Sequence, residues 1–126
     1  MRVVDTSAWI EALRGSPAGV RVRAELPDLD EWLAPTIILF ELAKWVTREM
    51  GEDAADTVAA YANHCVVADL DTAVALSAAD LSARHKLAAA DAIVYATAQA
   101  HGADVLTCDR HFATLPGVRF IPKHDA

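Results

Sequence analysis

Arg2-Val3-Val4-Asp5-Thr6-Ser7-Ala8-Trp9 runs from a β-branched pair through an acid and two hydroxyls into an apolar segment. The valines favour a pleated strand, since branching at Cβ restricts χ1 and packs well on a sheet. Asp5 ends that strand. Thr6 or Ser7 is expected to cap a helix carrying Ala8, Trp9, Ile10, Ala12 and Leu13. A strand that ends on an acid and turns straight into a helix is one unit of an α/β layer, and the rest of the chain repeats it.

Gly15-Ser16-Pro17 stops the first helix. Ser16 is placed to cap, and Pro17 to open, a short second helix reaching about residue 26. A buried strand is expected over 31–34, and Pro35-Thr36 then opens a helix, apolar almost all round, that ends near Gly51. A further helical segment spans 53–64, a strand 65–68, and Asp71-Thr72 caps a helix to about 85. A helix over 88–100 closes at Gly102. Strands over 104–107 and 118–121 flank a loop containing a possible helical turn. Short strands separated by helices imply a parallel sheet covered on both faces, an α/β domain. One domain is expected to fill 1–126.

The chain has 126 residues, 54% of them hydrophobic, and a formal net charge of −7. Mean hydropathy is +0.21. That apolar content excludes a disordered chain, and the acidic balance argues against a protein that holds nucleic acid mainly by a basic field. It leaves room for a nucleic-acid enzyme whose positive charge arrives as metal. Cys65 and Cys108 have no metal-ligand spacing and are read as free thiols. No signal peptide is expected ahead of Asp5, and no run approaches the ~18 apolar residues of a membrane span. A cytoplasmic protein is the expectation.

Ligands of an open parallel sheet bind beyond the carboxyl ends of its strands. Asp5 ends the first strand, and Asp109 follows the fourth, two residues after Thr107. Glu41 and Asp91 interrupt apolar helical runs, where a carboxylate is costly unless paired, hydrogen-bonded or metal-bound. Each alone has a plainer explanation: a solvated edge for Glu41, a helix cap for Asp5 or Asp91, a turn for Asp109. Together in one cleft they would repel one another and require a cation. Oxygen donors suit magnesium or manganese rather than zinc, with one or two ions both open. Such a site can hold a phosphodiester, activate a water and stabilise a leaving oxygen.

Val3-Val4-Asp5-Thr6-Ser7-Ala8-Trp9, Phe40-Glu41-Leu42, Ala90-Asp91-Ala92-Ile93-Val94 and Leu106-Thr107-Cys108-Asp109-Arg110-His111-Phe112 together resemble the PIN-domain ribonucleases. Within them the chain looks like the VapC toxins of VapBC toxin–antitoxin pairs. The resemblance spans the whole chain and implies a three-layer α/β/α sandwich with a five-stranded parallel sheet. It maps the family's acidic, catalytic and metal-binding pocket onto Asp5, Glu41, Asp91 and Asp109. Supporting hydroxyls that hydrogen-bond those acids map onto Thr6 and Thr107. It implies a Mg2+- or Mn2+-dependent endoribonuclease leaving 5′-phosphate and 3′-hydroxyl ends, neutralised by a VapB-like antitoxin. An antitoxin arginine would reach the acids, and the antitoxin helix would lie in an apolar groove for which Trp9, Trp45 and Val46 are candidates. A homodimer is implied as well.

Arg84, His85 and Lys86, just ahead of the Asp91 helix, and Arg110 and His111, after Asp109, are candidates for substrate phosphates. Solvated helix ends are the plainer explanation for them. Two other functions are weighed. A phosphoacceptor receiver would use Asp69 or Asp71 with Thr107 and Lys123, but needs an acid pair after the first strand where only Asp5 stands. A non-catalytic binding module would keep the fold and use the acids as a charge receptor.

Overall fold

Val3 and Val4 are fully buried because β1 (Arg2–Val4) runs through the middle of a sheet covered on both faces. The structure, a computed structural model, describes residues 1–124. The last two residues of the expected 1–126 domain therefore lie outside the described residues. After β1 come α1 (Thr6–Arg14), α2 (Pro17–Arg23), β2 (Trp32–Pro35), α3 (Thr36–Met50), α4 (Glu52–Ala62) and β3 (Val66–Ala68). The chain continues with α5 (Thr72–His85), α6 (Ala89–Ala100), β4 (Asp104–Thr107) and β5 (Val118–Phe120). Short 3-10 turns at Leu29–Glu31 and Arg110–Phe112 precede β2 and follow β4.

All strands are parallel, in the order β3-β2-β1-β4-β5. The expected five-stranded α/β sandwich is thus the observed one. β1 and β4 are neighbours, with Val4 opposite Leu106, and the Asp5 N–H donates to the Leu106 carbonyl at 2.9 Å. That pairing carries the residues after both strands to the same sheet edge. No described helix is long and apolar enough to cross a membrane.

Several expectations are corrected. α2 stops at Arg23, short of residue 26, because Pro27 disfavours helical geometry in the residue before it. β2 starts at Trp32, since Glu31 belongs to the 3-10 turn. α3 buries only the Ile38, Leu42 and Val46 stripe and leaves Phe40 63% exposed, so it is not an all-round buried helix. The receiver arrangement fails on topology. β3 is an edge strand with β2 between it and β1, and Asp71 is occupied as the cap of α5, accepting from the Val74 N–H at 2.8 Å.

Candidate active site

Asp5 occupies the N-cap position of α1, yet its carboxylate makes no capping bond to the helix's second or third N–H. Neither Thr6 nor Ser7 caps, because both already lie inside α1; their hydroxyls turn to the acids instead. Asp5 Oδ2 accepts from Ser7 Oγ at 2.8 Å and from Thr107 Oγ1 at 2.9 Å. The Cys108 N–H donates to Ser7 Oγ at 3.0 Å and the Asp109 N–H to Thr107 Oγ1 at 2.9 Å. Two hydroxyls therefore fix Asp5 against the backbone that follows β4.

The other acids close on this point. Glu41, from α3, accepts from Thr6 Oγ1 at 2.9 Å. Asp91 stands in the first turn of α6, where the positive end of the helix dipole favours a carboxylate; it is not the cap, a position held by Ala88. Asp109 Oδ1 accepts from the His111 N–H at 2.9 Å, so the turn role holds beside any other. His111 Nδ1 lies 3.2 Å from Asp109 Oδ1 and 3.8 Å from Asp91 Oδ2.

Burial raises the Asp5 carboxyl above its ordinary range; the Ser7, Thr107 and Thr6 hydrogen bonds oppose this, and the Asp109 charge adds to it. The Asp91 carboxyl is pushed up to about 6, first by burial, then by the charges of Asp109 and Asp5. His111 pulls it down and Glu41 adds a smaller push upward. Asp91 thus feels the charges of the other three acids.

A divalent cation fits this donor set. Oxygens of Asp91 and Asp109 and a nitrogen of His111 lie within 4.8 Å of one another. Opposite ligands of one octahedral ion are about 4.2 Å apart, twice a ~2.1 Å bond. Carboxylate oxygens are hard donors of the kind that hold a divalent cation.

Sequence reading did not place Ser7 in the site, and took His111 only as a phosphate contact beside Asp109. The only local signal was position, a hydroxyl and an imidazole each two residues after an acid. Of the basic candidates, Arg110 sits in the turn after Asp109, and Lys86 ends α5 in left-handed geometry ahead of α6. Arg84 is exposed and paired with Asp80 at 2.7 Å, one turn away on its own helix.

The expected apolar groove is not a single surface. Val46 is fully buried in the core beneath α3, which removes it from any docking face. Trp9 packs at a tilt against Trp32 and edge-to-face against Tyr61, and lines a cavity of about 350 Å³ together with Leu13, Leu26 and Val58. Trp45 lines a different cavity, beside Thr6 and Glu41.

The sequence model of the PIN domain matches residues 2–118. A search of curated proteins finds no match. Among solved structures, a toxin–antitoxin complex from Klebsiella pneumoniae contains a chain that superposes with TM-score 0.82 at 20% identity, over 100% of both chains. VapC20 of Mycobacterium tuberculosis, a toxin that cleaves the sarcin-ricin loop, gives TM-score 0.78 at 23% identity, over 97% of this chain and 100% of its own. FitAcB from Neisseria gonorrhoeae gives TM-score 0.74 at 26% identity, over 99% and 100%.

Proposed function

The chain belongs to the PIN domain family, and from that premise we propose that it is a metal-dependent endoribonuclease, the VapC-type toxin of a toxin–antitoxin pair. The observation that carries this reading is the convergence of Asp5, Glu41, Asp91 and Asp109 at the carboxyl edge of the sheet.

Asp91 and Asp109, with His111 within reach, and Asp5 would hold Mg2+ or Mn2+, as one or two ions, and Glu41 would bind a second ion or orient water. When bound, the ion lowers the pKa of water and offsets charge on the scissile phosphate and leaving oxygen. Ser7 and Thr107 hold the Asp5 carboxylate in one orientation, and Thr6 does the same for Glu41. Water activated in this way would leave the RNA 2′-hydroxyl out of the reaction and give products with 5′-phosphate and 3′-hydroxyl ends. Lys86 and Arg110, with Arg84 further out, are phosphate contacts beside the pocket.

The partner is a VapB-like antitoxin seated in the Trp9 cavity. That cavity is lined mainly by apolar side chains, beside Arg23 and Thr57, and by Trp32, whose indole Nε1–H is buried without a partner among the described residues. A peptide carbonyl would satisfy that donor. An antitoxin arginine would pair with the acids. The protein acts in the cytoplasm as a homodimer, which sedimentation checks directly.

Asp5→Ala and Asp91→Asn should each abolish Mg2+- or Mn2+-dependent RNA cleavage while circular dichroism shows a folded protein. Undiminished cleavage by both would overturn the assignment. No cleavage by the wild type with either metal, but retained antitoxin binding, would favour the binding module.

A further inference from the structure

Asp91 and Asp109 are joined by a third donor of a different kind. His111 Nδ1 lies 3.2 Å from Asp109 Oδ1 and 3.8 Å from Asp91 Oδ2, so the ring nitrogen faces oxygens from two elements, α6 and the turn after β4. Among the described residues, these three make the one cluster of His, Cys, Asp and Glu groups that could close on a single ion. The turn that carries the ring is anchored from beneath. Phe112 is fully buried, its N–H donates to the Asp109 carbonyl at 3.2 Å, and the His111 N–H donates to Asp109 Oδ1 at 2.9 Å. The His111 side chain itself is 78% exposed. Its backbone is fixed while its ring is free to turn.

We infer that His111 is a direct ligand of the ion held by Asp91 and Asp109, and that its nitrogen makes the site select Mn2+ over Mg2+. The inference rests on the metal-dependent reading of the pocket and deepens it by naming the ion.

Spacing and donor chemistry carry it. Adjacent ligands of an octahedral ion with ~2.1 Å bonds are roughly 3 Å apart. The 3.2 Å spacing of His111 and Asp109 is close to that, and the 3.8 Å spacing to Asp91 falls between adjacent and opposite positions. A small turn of an exposed ring completes the fit. Mg2+ is hard, binds oxygen and gives up its waters reluctantly, so an imidazole adds little for it. One nitrogen among carboxylate oxygens falls short of the nitrogen- and sulfur-rich tetrahedral set of Zn2+, and of the two imidazoles in the Fe2+ facial triad. Mn2+ shares the octahedral, oxygen-rich preference of Mg2+ but, as a first-row transition ion, also bonds to imidazole. The competing role for His111 is that of an imidazolium counter-ion to the two acids, and at this exposure such a pair contributes little. The two roles differ in sign. Loss of a ligand weakens metal binding, whereas loss of a counter-ion strengthens it for both ions, because a competing positive charge has gone.

The test is calorimetric titration of the metal-free protein with Mn2+ and with Mg2+, joined to electron spin-echo spectroscopy of the Mn2+ complex. The wild type should bind Mn2+ about ten-fold or more tighter than Mg2+ and show nitrogen modulation from a bound imidazole. His111→Ala should lose that modulation and about ten-fold or more in Mn2+ affinity, as happens on removing even an outer hydrogen-bond partner of a ligand, with a change of less than about two-fold for Mg2+. His111→Asp, which puts a hard oxygen in place of the nitrogen, should keep the Mg2+ affinity and lose the Mn2+ preference. The His111 side chain is exposed, so both variants are expected to fold. Nitrogen modulation that persists in His111→Ala, an unchanged ratio of the two affinities, or tighter binding of both ions would overturn the assignment, the last giving His111 the counter-ion role. A wild type that binds no Mn2+ would remove the ligand and the metal-dependent reading together. RNA cleavage is assayed separately. A wild type that binds Mn2+ through His111 and cleaves no RNA would sink the ribonuclease reading and leave the ligand assignment standing.

Discussion

Asp91 concentrates the electrostatic conflict of the site. Its carboxyl is held at about 6, against an ordinary value of 3.8, chiefly by burial and then by the neighbouring acids. Between those values the folded protein binds more protons than the unfolded chain. Metal-free stability therefore falls as pH rises from about 4 to about 6 and stays low above that window. The residue is partly solvated, so screening reduces the effect to the order of 1 kcal/mol. In EDTA the melting temperature should be higher at pH 5 than at pH 7.5, and Asp91→Asn should narrow the difference by raising the pH 7.5 value, with Asp5, also raised, keeping the remainder. Divalent metal should stabilise more at pH 7.5 than at pH 5, since protons compete for the same oxygens. A metal-free melting curve that is flat across this range, or one that rises with pH, would contradict the account. Glu41 and Asp91 were legible in the sequence because a carboxylate in an apolar run is anomalous wherever it lies, and Asp5 and Asp109 because they follow strands. Ser7 was not, because its partner is the Cys108 N–H, 101 residues away, and only the β1–β4 pairing brings the two together.

At the scale of elements, the strand–acid–helix junction at Asp5 could be read locally, since propensity and turn chemistry act over a few residues. Which face of a helix meets the sheet could not. Val46 and Trp45 are adjacent in sequence, yet one is fully buried and the other borders a cavity, because the Ile38, Leu42 and Val46 stripe faces inward. The α1–α2 pair shows a similar dependence. Ser16 Oγ accepts from the Gly19 N–H at 2.9 Å and donates to Glu11 Oε1 at 2.8 Å, binding the start of α2 to α1. Gly19 then lies so close to α1 that a Cβ there would fall inside the Glu11 carbonyl. Alanine would gain up to about 1 kcal/mol of helix propensity. The clash is with backbone, which cannot rotate away, and overpacking of this kind costs about 1–3 kcal/mol or more. Gly19→Ala should therefore lower the melting temperature by several degrees, measured by calorimetry. An unchanged or higher value would show that α2 can move off α1.

Across the whole molecule, function and anchorage occupy opposite ends of the sheet. The acids gather beyond the carboxyl ends of β1 and β4, whereas an ion network clasps the amino ends. Arg2, at the start of β1, donates to Asp104 Oδ1 at 2.9 Å and Oδ2 at 2.8 Å, and to the Glu25 carbonyl at 2.9 Å. Glu25 in turn accepts from Arg119 of β5 at 2.7 and 2.9 Å. One guanidinium thus joins β1, β4 and the segment after α2. The forked geometry makes the Arg2–Asp104 pair stronger than a surface contact, and Arg2 is only 24% exposed. Arg2→Ala should cost about 1–2 kcal/mol, more than the ~0.2–1 kcal/mol of an ordinary exposed pair. For a chain of this length that lowers the melting temperature by about 3–8 °C. Because the network lies a strand's length from Asp5, RNA cleavage per folded molecule should stay at the wild-type rate below the transition. Loss of cleavage in protein that calorimetry shows to be folded would mean that the register set at the amino end is transmitted through β1 and β4 to the acids.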